Sequence, residues 1–263
     1  MNPGILGIVN ITTDSFSDGG QFLDPLAAIA HAKSLLKAGA HAVDLGAASS
    51  NPDATAISAD IEISRLDPVV RAFPGQNISI DTFSPDVQRY AAKQNVAFIN
   101  DIHGFPDSSV YQELAASKSK LIVMHSVQAT GRAQKLDIGP DEILNRLFAF
   151  FDQRLAELRE AVTADRLIID PGMGFFLSSN PESSFAALRA IPTIKARYGL
   201  PVLISVSRKS FLGAVTGRPV SQRNAASLAC ELGALRLGAD MIRTHDVEAL
   251  VDGIAVANRL TAD

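Results

Sequence analysis

The stretch ISIDTFSPDVQRYAAKQNVAFIND (residues 78–101) sets out the pattern on which the chain is built. A short apolar run, ISIDT at 78–82, ends in polar residues. A longer segment follows at 85–94, with apolar residues spaced by three and four as on one face of a helix. Ser84 and Pro85 stand before it as a cap residue and a first-turn proline. A second apolar run, AFIND at 97–101, again ends polar. Strand, helix and strand in that order form the parallel βαβ unit.

Outward from this unit the pattern recurs to both ends. Upstream lie ILGIVN (5–10) and HAVDLG (41–46). Downstream lie LIVMH (121–125), LIIDPG (167–172), VLISVS (202–207) and DMIRTH (240–245). These runs are rich in Ile, Val and Leu, as strands buried on both faces should be. Residues 25–38, 60–73, 108–116, 141–161, 182–198, 222–237 and 246–261 read as helices between them. Asp24 before Pro25 and Asn180 before Pro181 repeat the capping signal. About eight alternations predict a single TIM (β/α)₈ barrel over residues 1–263, in the α/β class, with an open doubly wound sheet as the alternative. The length of 263 residues fits the roughly 250 typical of such a barrel.

Composition narrows the function. The net charge of −4 and the absence of a basic stripe argue against a nucleic-acid partner. No apolar run approaches the roughly 20 residues that span a membrane, and the N-terminus lacks a signal-peptide pattern. The single cysteine, Cys230, cannot form an intrachain disulfide and reads as an inert core thiol. A reducing, cytoplasmic setting fits.

A barrel places its active site at the C-terminal ends of its strands. Here those ends carry Asn10, Asp44, Asp81, Asn100, Asp101, His125, Asp170, Arg208, Lys209, Arg243 and His245. Carboxylates and an amide, as at Asp81, Asn100 and Asp170, suit the donor–acceptor edge of a flat heterocycle. SRKS (207–210) and RTH (243–245) make a cationic corner where barrels often bind phosphate. The loop NITTDSFSDGG (10–20) has the small, polar composition of a mobile lid. Asn10 at its root can offer an amide oxygen to Mg²⁺. The five histidines show no zinc spacing.

Seven motifs in order, GIVNITTDSFSDGG, IDTF, INDI, VMHS, DPGMGF, SRKSFLG and IRTHDV, resemble the dihydropteroate synthases over nearly the whole chain. The resemblance implies condensation of 6-hydroxymethyl-7,8-dihydropterin diphosphate with p-aminobenzoate, with Mg²⁺, in a homodimer. It implies that Asp81, Asn100, Asp170 and Lys209 bind the pterin, with Ser50 also in the pterin-diphosphate set. Arg243 would stack on the pterin and, with His245 and Asn10, hold diphosphate and metal. Ser210 would receive the p-aminobenzoate carboxylate, with Pro52, Phe175 and Phe176 around the ring. Phe16 and Asp18 would lie in the lid. Asp18, Lys209, Arg243 and His245 are the expected catalytic residues.

Two segments depart from the usual family pattern. GAASSNPDA (46–54) stands where GGESTRPGA is usual, and GFFL (174–177) where GFGK is usual. Both resemble the sulfonamide-insensitive branch. Phe176 and Leu177 are expected to add bulk beside the benzoate pocket, a clash against a larger competitor. Two other readings compete. A pterin-binding methyltransferase barrel would share the Asp and Asn contacts without needing the cations. A non-catalytic scaffold would be expected to lose Asn10, Asp18, Lys209, Arg243 and His245.

Overall fold

The computed structural model describes residues 1–12, 24–48, 56–73, 77–128 and 135–260. Eight parallel strands form one sheet: β1 (Gly4–Asn10), β2 (Ala42–Gly46), β3 (Ile78–Asp81), β4 (Phe98–Asp101), β5 (Lys120–Met124), β6 (Leu167–Asp170), β7 (Leu203–Ile204) and β8 (Met241–Thr244). They are ordered β6-β5-β4-β3-β2-β1-β8-β7. The remaining gap, between β6 and β7, is closed by a parallel bridge from Ile169 to Val202 and a bond from the Ile169 N–H to the Pro201 carbonyl at 2.9 Å. The sheet is therefore a nearly closed barrel, and the open-sheet alternative falls.

Helices α1 (Pro25–Lys37), α2 (Ala59–Ala72), α3 (Pro85–Gln94), α4 (Tyr111–Ala116), α5 (Pro140–Arg159), α6 (Pro181–Arg189), α7 (Ile191–Tyr198), α8 (Ser210–Thr216), α9 (Asn224–Arg236) and α10 (Val247–Leu260) join the strands. Asp24 and Asn180 cap as expected, accepting from the amides of Leu26 and Glu182 at 3.1 Å each. Ser84 holds the cap position of α3 but makes no side-chain cap bond. Its own amide instead donates to Thr82 Oγ1.

The expected helix over 182–198 is two helices. Ala190 ends α6 and begins α7, because Pro192 sits in the first turn of the second helix and has no N–H for a continuous one. The expected strand over 202–207 is ladder-bonded at Leu203–Ile204 alone. The chain turns soon after, with Arg208 in the left-handed region at φ +60°. Among the described residues, no helix is long and apolar enough to cross a membrane.

Side chains alternate along each strand, so the barrel wall has two faces. Val9, Leu45, Ile80, Ile99, Val123, Ile169, Ile204 and Ile242 point outward into the main core beneath the helices. Leu6, Ala42, Ile122, Ile168, Leu203 and Met241 pack inside, with Phe98 against them, and plug the lower barrel. Two residues further along, the same inward parity delivers Asp44, Asn100, Asp170, Ser205 and Arg243. Apolar floor and polar mouth are consecutive layers of one pattern.

Ile122 is fully buried in that floor. Ile122→Ala should lower unfolding stability by about 3 kcal/mol through lost transfer energy and an unfilled cavity. A fall in the urea midpoint at unchanged m-value measures it.

Candidate active site

Arg243, from β8, stands at the centre of the mouth with 6% of its surface exposed. Its Nη1 donates to Asp44 Oδ2 at 2.7 Å and to Asp81 Oδ2 at 2.8 Å, and its Nε to Ser205 Oγ at 3.2 Å. Asp44 also accepts from Ser79 Oγ. Burial opposes the charge on Arg243, but Asp81, Asp44 and Asp170 outweigh burial and raise its pKa. Burial, with Asp44 close by, raises the Asp81 carboxyl above its usual range against the pull of Arg243.

Asn100 and Asp170 hold the next places. Asn100 is fully buried, yet neither its Oδ1 nor its Nδ2 is hydrogen-bonded. Asp170 is 1% exposed. Its Oδ1 accepts the Gly172 N–H at 2.8 Å, while Oδ2 has no partner. Burial raises this carboxyl too. An unmet buried polar group costs roughly 1–3 kcal/mol, so three such atoms together mark a surface built for something absent. Gly172 is required here. It lies at φ +74°, and a Cβ on it would meet the His125 carbonyl at 2.3 Å.

Lys209 precedes α8, and its Nζ lies 4.8 Å from the centre of the Phe176 ring. Burial, helped by Arg243, lowers its pKa to about 8 against the pull of Asp170 and Asp81. Phe176 forms a separate apolar cluster with Ile102 and Met124, against which Phe83 and Phe175 pack. The loops after β6 and β7 touch: a Cβ on Gly174 would lie 3.2 Å from Ser210 Oγ. Leu177 departs from expectation. It is fully buried in the main core rather than beside this cluster. The one-turn 3₁₀ helix Gly174–Phe176 rotates the residue that follows it away from the mouth.

The cationic corner is braced from behind. The His245 N–H donates to Ser207 Oγ at 3.2 Å, and its Nδ1 lies 2.9 Å from the same oxygen. Arg223 Nη1 donates to the carbonyl of Arg208 at 3.1 Å. Asn10 ends β1 beside Gly46, with its Oδ1 3.7 Å from where a Cβ there would be. The mouth thus gathers Asn10, Asp81, Asn100, Asp170, Phe175, Phe176, Lys209, Ser210, Arg243 and His245. Phe16, Asp18, Ser50 and Pro52 lie outside the described residues. The sequence reading gave no role to Asp44, Ser79, Ser205 or Ser207. Asp44 shares the inward parity of Arg243 through the registers Leu6–Arg243 and Ile8–Asp44, a signal that pairing, not composition, carries.

Glu231 on α9 backs β8. It is 2% exposed, bonds Thr244 and leaves Oε1 without a partner. Burial pushes its pKa up from 4.5 to about 7. The native state therefore keeps a proton that the unfolded chain has released, and stability falls as pH rises from 4.5 to about 7. Glu231→Gln should match the parent below that window. Above it, the variant should be more stable by about 2–3 kcal/mol, read from urea unfolding at pH 4 and pH 8.

A family described as pterin binding enzyme matches residues 6–245. Dihydropteroate synthase type-3 of Escherichia coli is 52% identical over 97% of this chain and 98% of its own. The type-2 enzyme of Escherichia coli is 51% identical over 96% of this chain and 94% of its own. The dihydropteroate synthase of Escherichia coli K12 is 32% identical over 97% of this chain and 90% of its own. Among solved structures, the Xanthomonas albilineans dihydropteroate synthase with 4-aminobenzoic acid superposes with a TM-score of 0.88. It is 33% identical and covers 99% of this chain and 94% of that one.

Proposed function

The chain belongs to the pterin binding enzymes and, within them, to the dihydropteroate synthases, and on that premise we propose how its mouth joins a dihydropterin diphosphate to p-aminobenzoate. One observation carries the assignment: the unbonded amide of Asn100 and the unbonded Oδ2 of Asp170, both buried in the barrel mouth. An amide offers N–H donors beside a carbonyl acceptor, and a carboxylate accepts from N–H groups, which is the complement of an amino-pyrimidinone edge. Asp81, held in place by Arg243, and Lys209 complete the pterin set.

Arg243 and His245 face the diphosphate. Asn10, at the end of β1, would offer its amide oxygen to a shared Mg²⁺, an ion that takes oxygen ligands and keeps few protein ones beside phosphate oxygens and water. When bound, that ion neutralises developing charge on the diphosphate. The C–O bond breaks and its electron pair leaves with diphosphate. The methylene cation left behind is delocalised into the dihydropterin ring. The p-aminobenzoate amine attacks through its lone pair, and the ammonium formed loses one proton to solvent. Fixed charges aimed at the departing anion do the work, and no strong base is needed. Phe16 and Asp18 would belong to the lid that keeps water from the cation.

On the benzoate side we assign Ser210 to the carboxylate, Phe175 and Pro52 to the ring, and Ser50 to the phosphate edge. Phe176, clamped beneath Lys209, narrows the path beyond the carboxylate. A planar carboxylate passes, while a tetrahedral sulfonyl with its substituent clashes, so the enzyme is insensitive to sulfonamides. Identities of 52% with the type-3 enzyme and 32% with the K12 enzyme support this branch. A cytoplasmic homodimer is the companion reading, resting on the family resemblance.

Asp170→Asn should lower kcat/KM for the pterin diphosphate about 100-fold, by roughly the worth of a charge-assisted bond. Unimpaired turnover in a steady-state assay refutes the pterin assignment. Phe176→Gly should lower the sulfonamide inhibition constant at least tenfold, about 1.4 kcal/mol, with a smaller change in the KM for p-aminobenzoate. Unchanged inhibition ends the gating idea.

A further inference from the structure

A cavity of about 350 Å³ lies outside the barrel mouth, between the loops after β4 and β5 and one face of α5. The α5 face presents Arg146, Phe150 and Arg154 at four-residue spacing. His125, one residue past β5, forms the inner wall. The alternation that turns Met124 into the mouth turns His125 the other way, so none of the chemistry above uses it.

Two residues that line this cavity each carry a buried polar atom without a partner. His125 is 2% exposed and its Nδ1 has no partner. Burial holds its pKa down to about 4, and a ring N–H points to the Pro171 carbonyl, so the neutral ring has one lone-pair nitrogen left to accept. Arg154 engages the Phe105 carbonyl at 3.2 Å and Glu157 at 2.6 Å through Nη1, but its buried Nε–H has no acceptor. Arg146 adds a second guanidinium at the open side, paired with Glu142 one turn before it. Between the acceptor and the cations stands Phe150, its centroid 5.2 Å from the His125 ring and 6.0 Å from the Arg154 guanidinium carbon. Pro106 and Val127 extend this apolar wall.

A cationic end, an apolar flat wall and a lone-pair acceptor define an occupant. We propose that this cavity is a second binding site, for an aromatic carboxylic acid bearing an O–H or N–H at the far end of its ring. The carboxylate meets Arg154 Nε and Arg146, the ring lies against Phe150, and the distal donor bonds His125. A bare oxyanion would leave the apolar wall uncovered. An acid without the distal donor would leave His125 unmet.

The test is calorimetric titration of 4-hydroxybenzoate into enzyme saturated with 7,8-dihydropteroate, which fills the mouth. One remaining site is expected. Arg146→Ala, an exposed position away from the mouth, should weaken it at least fivefold while leaving kcat and KM for synthesis unchanged. Benzoate, lacking the donor, should bind at least fivefold more weakly than 4-hydroxybenzoate. No residual binding, equal affinity for the two acids, or an unaltered affinity in Arg146→Ala each overturns the proposal. Failure of dihydropteroate to bind would count against the synthase reading alone, because the comparison of parent with Arg146→Ala still decides this one.

Discussion

The Arg243 guanidinium between Asp44 and Asp81 is the constraint around which the barrel is arranged. It crosses from β8, past β1, to β2 and β3. None of the three groups is tolerable there alone. A lone buried guanidinium would lack acceptors, and two neighbouring carboxylates would repel and protonate. Together they form a fixed polar lattice directly above an apolar floor. Its geometry is set by protein groups alone.

Much of this architecture was legible from residue order. Strand and helix positions followed from apolar runs alternating with amphipathic segments, and residues 85–94 form a helix with the expected bounds. The failures share a physical source. Pro192 breaks 182–198 because a single missing N–H outranks the apolar spacing around it. β7 is short because an extended, apolar segment becomes a ladder only where a neighbour supplies partners. At the site, chemistry-bearing side chains were visible as strand ends, but which ends meet depends on register. Asp44 looked like any polar terminus until the pairing set its parity beside Arg243. Leu177 was misplaced for the same reason, since its direction depends on a single 3₁₀ turn.

The two halves of the mouth are held differently. Asp81, Asn100 and Asp170 stand on ladder-bonded strands, where side-chain direction is fixed by the pleat. Phe176 and Ser210 stand instead on loops that touch at Gly174 and Ser210, with a cation–ring contact between Lys209 and Phe176. The departure at residues 174–177 lies past β6, in a 3₁₀ turn outside the ladder residues, while most of the departure at 46–54 falls outside the described residues.

The seam between β6 and β7 gives that division a further meaning. Every other neighbouring pair of strands shares a ladder of two or more residues, whereas this pair is joined through Ile169 and Val202. The DPGMGFF and SRKS segments emerge on its two sides. A barrel with one lightly stitched edge is a split ring: strain introduced there can be relieved by a small opening of the ring instead of travelling round it. Asp170 and Lys209 leave the barrel on the two sides of this edge, so the lightly joined wall carries part of the mouth itself. Loops rooted at this edge can change shape while the other strand pairings keep the ring together.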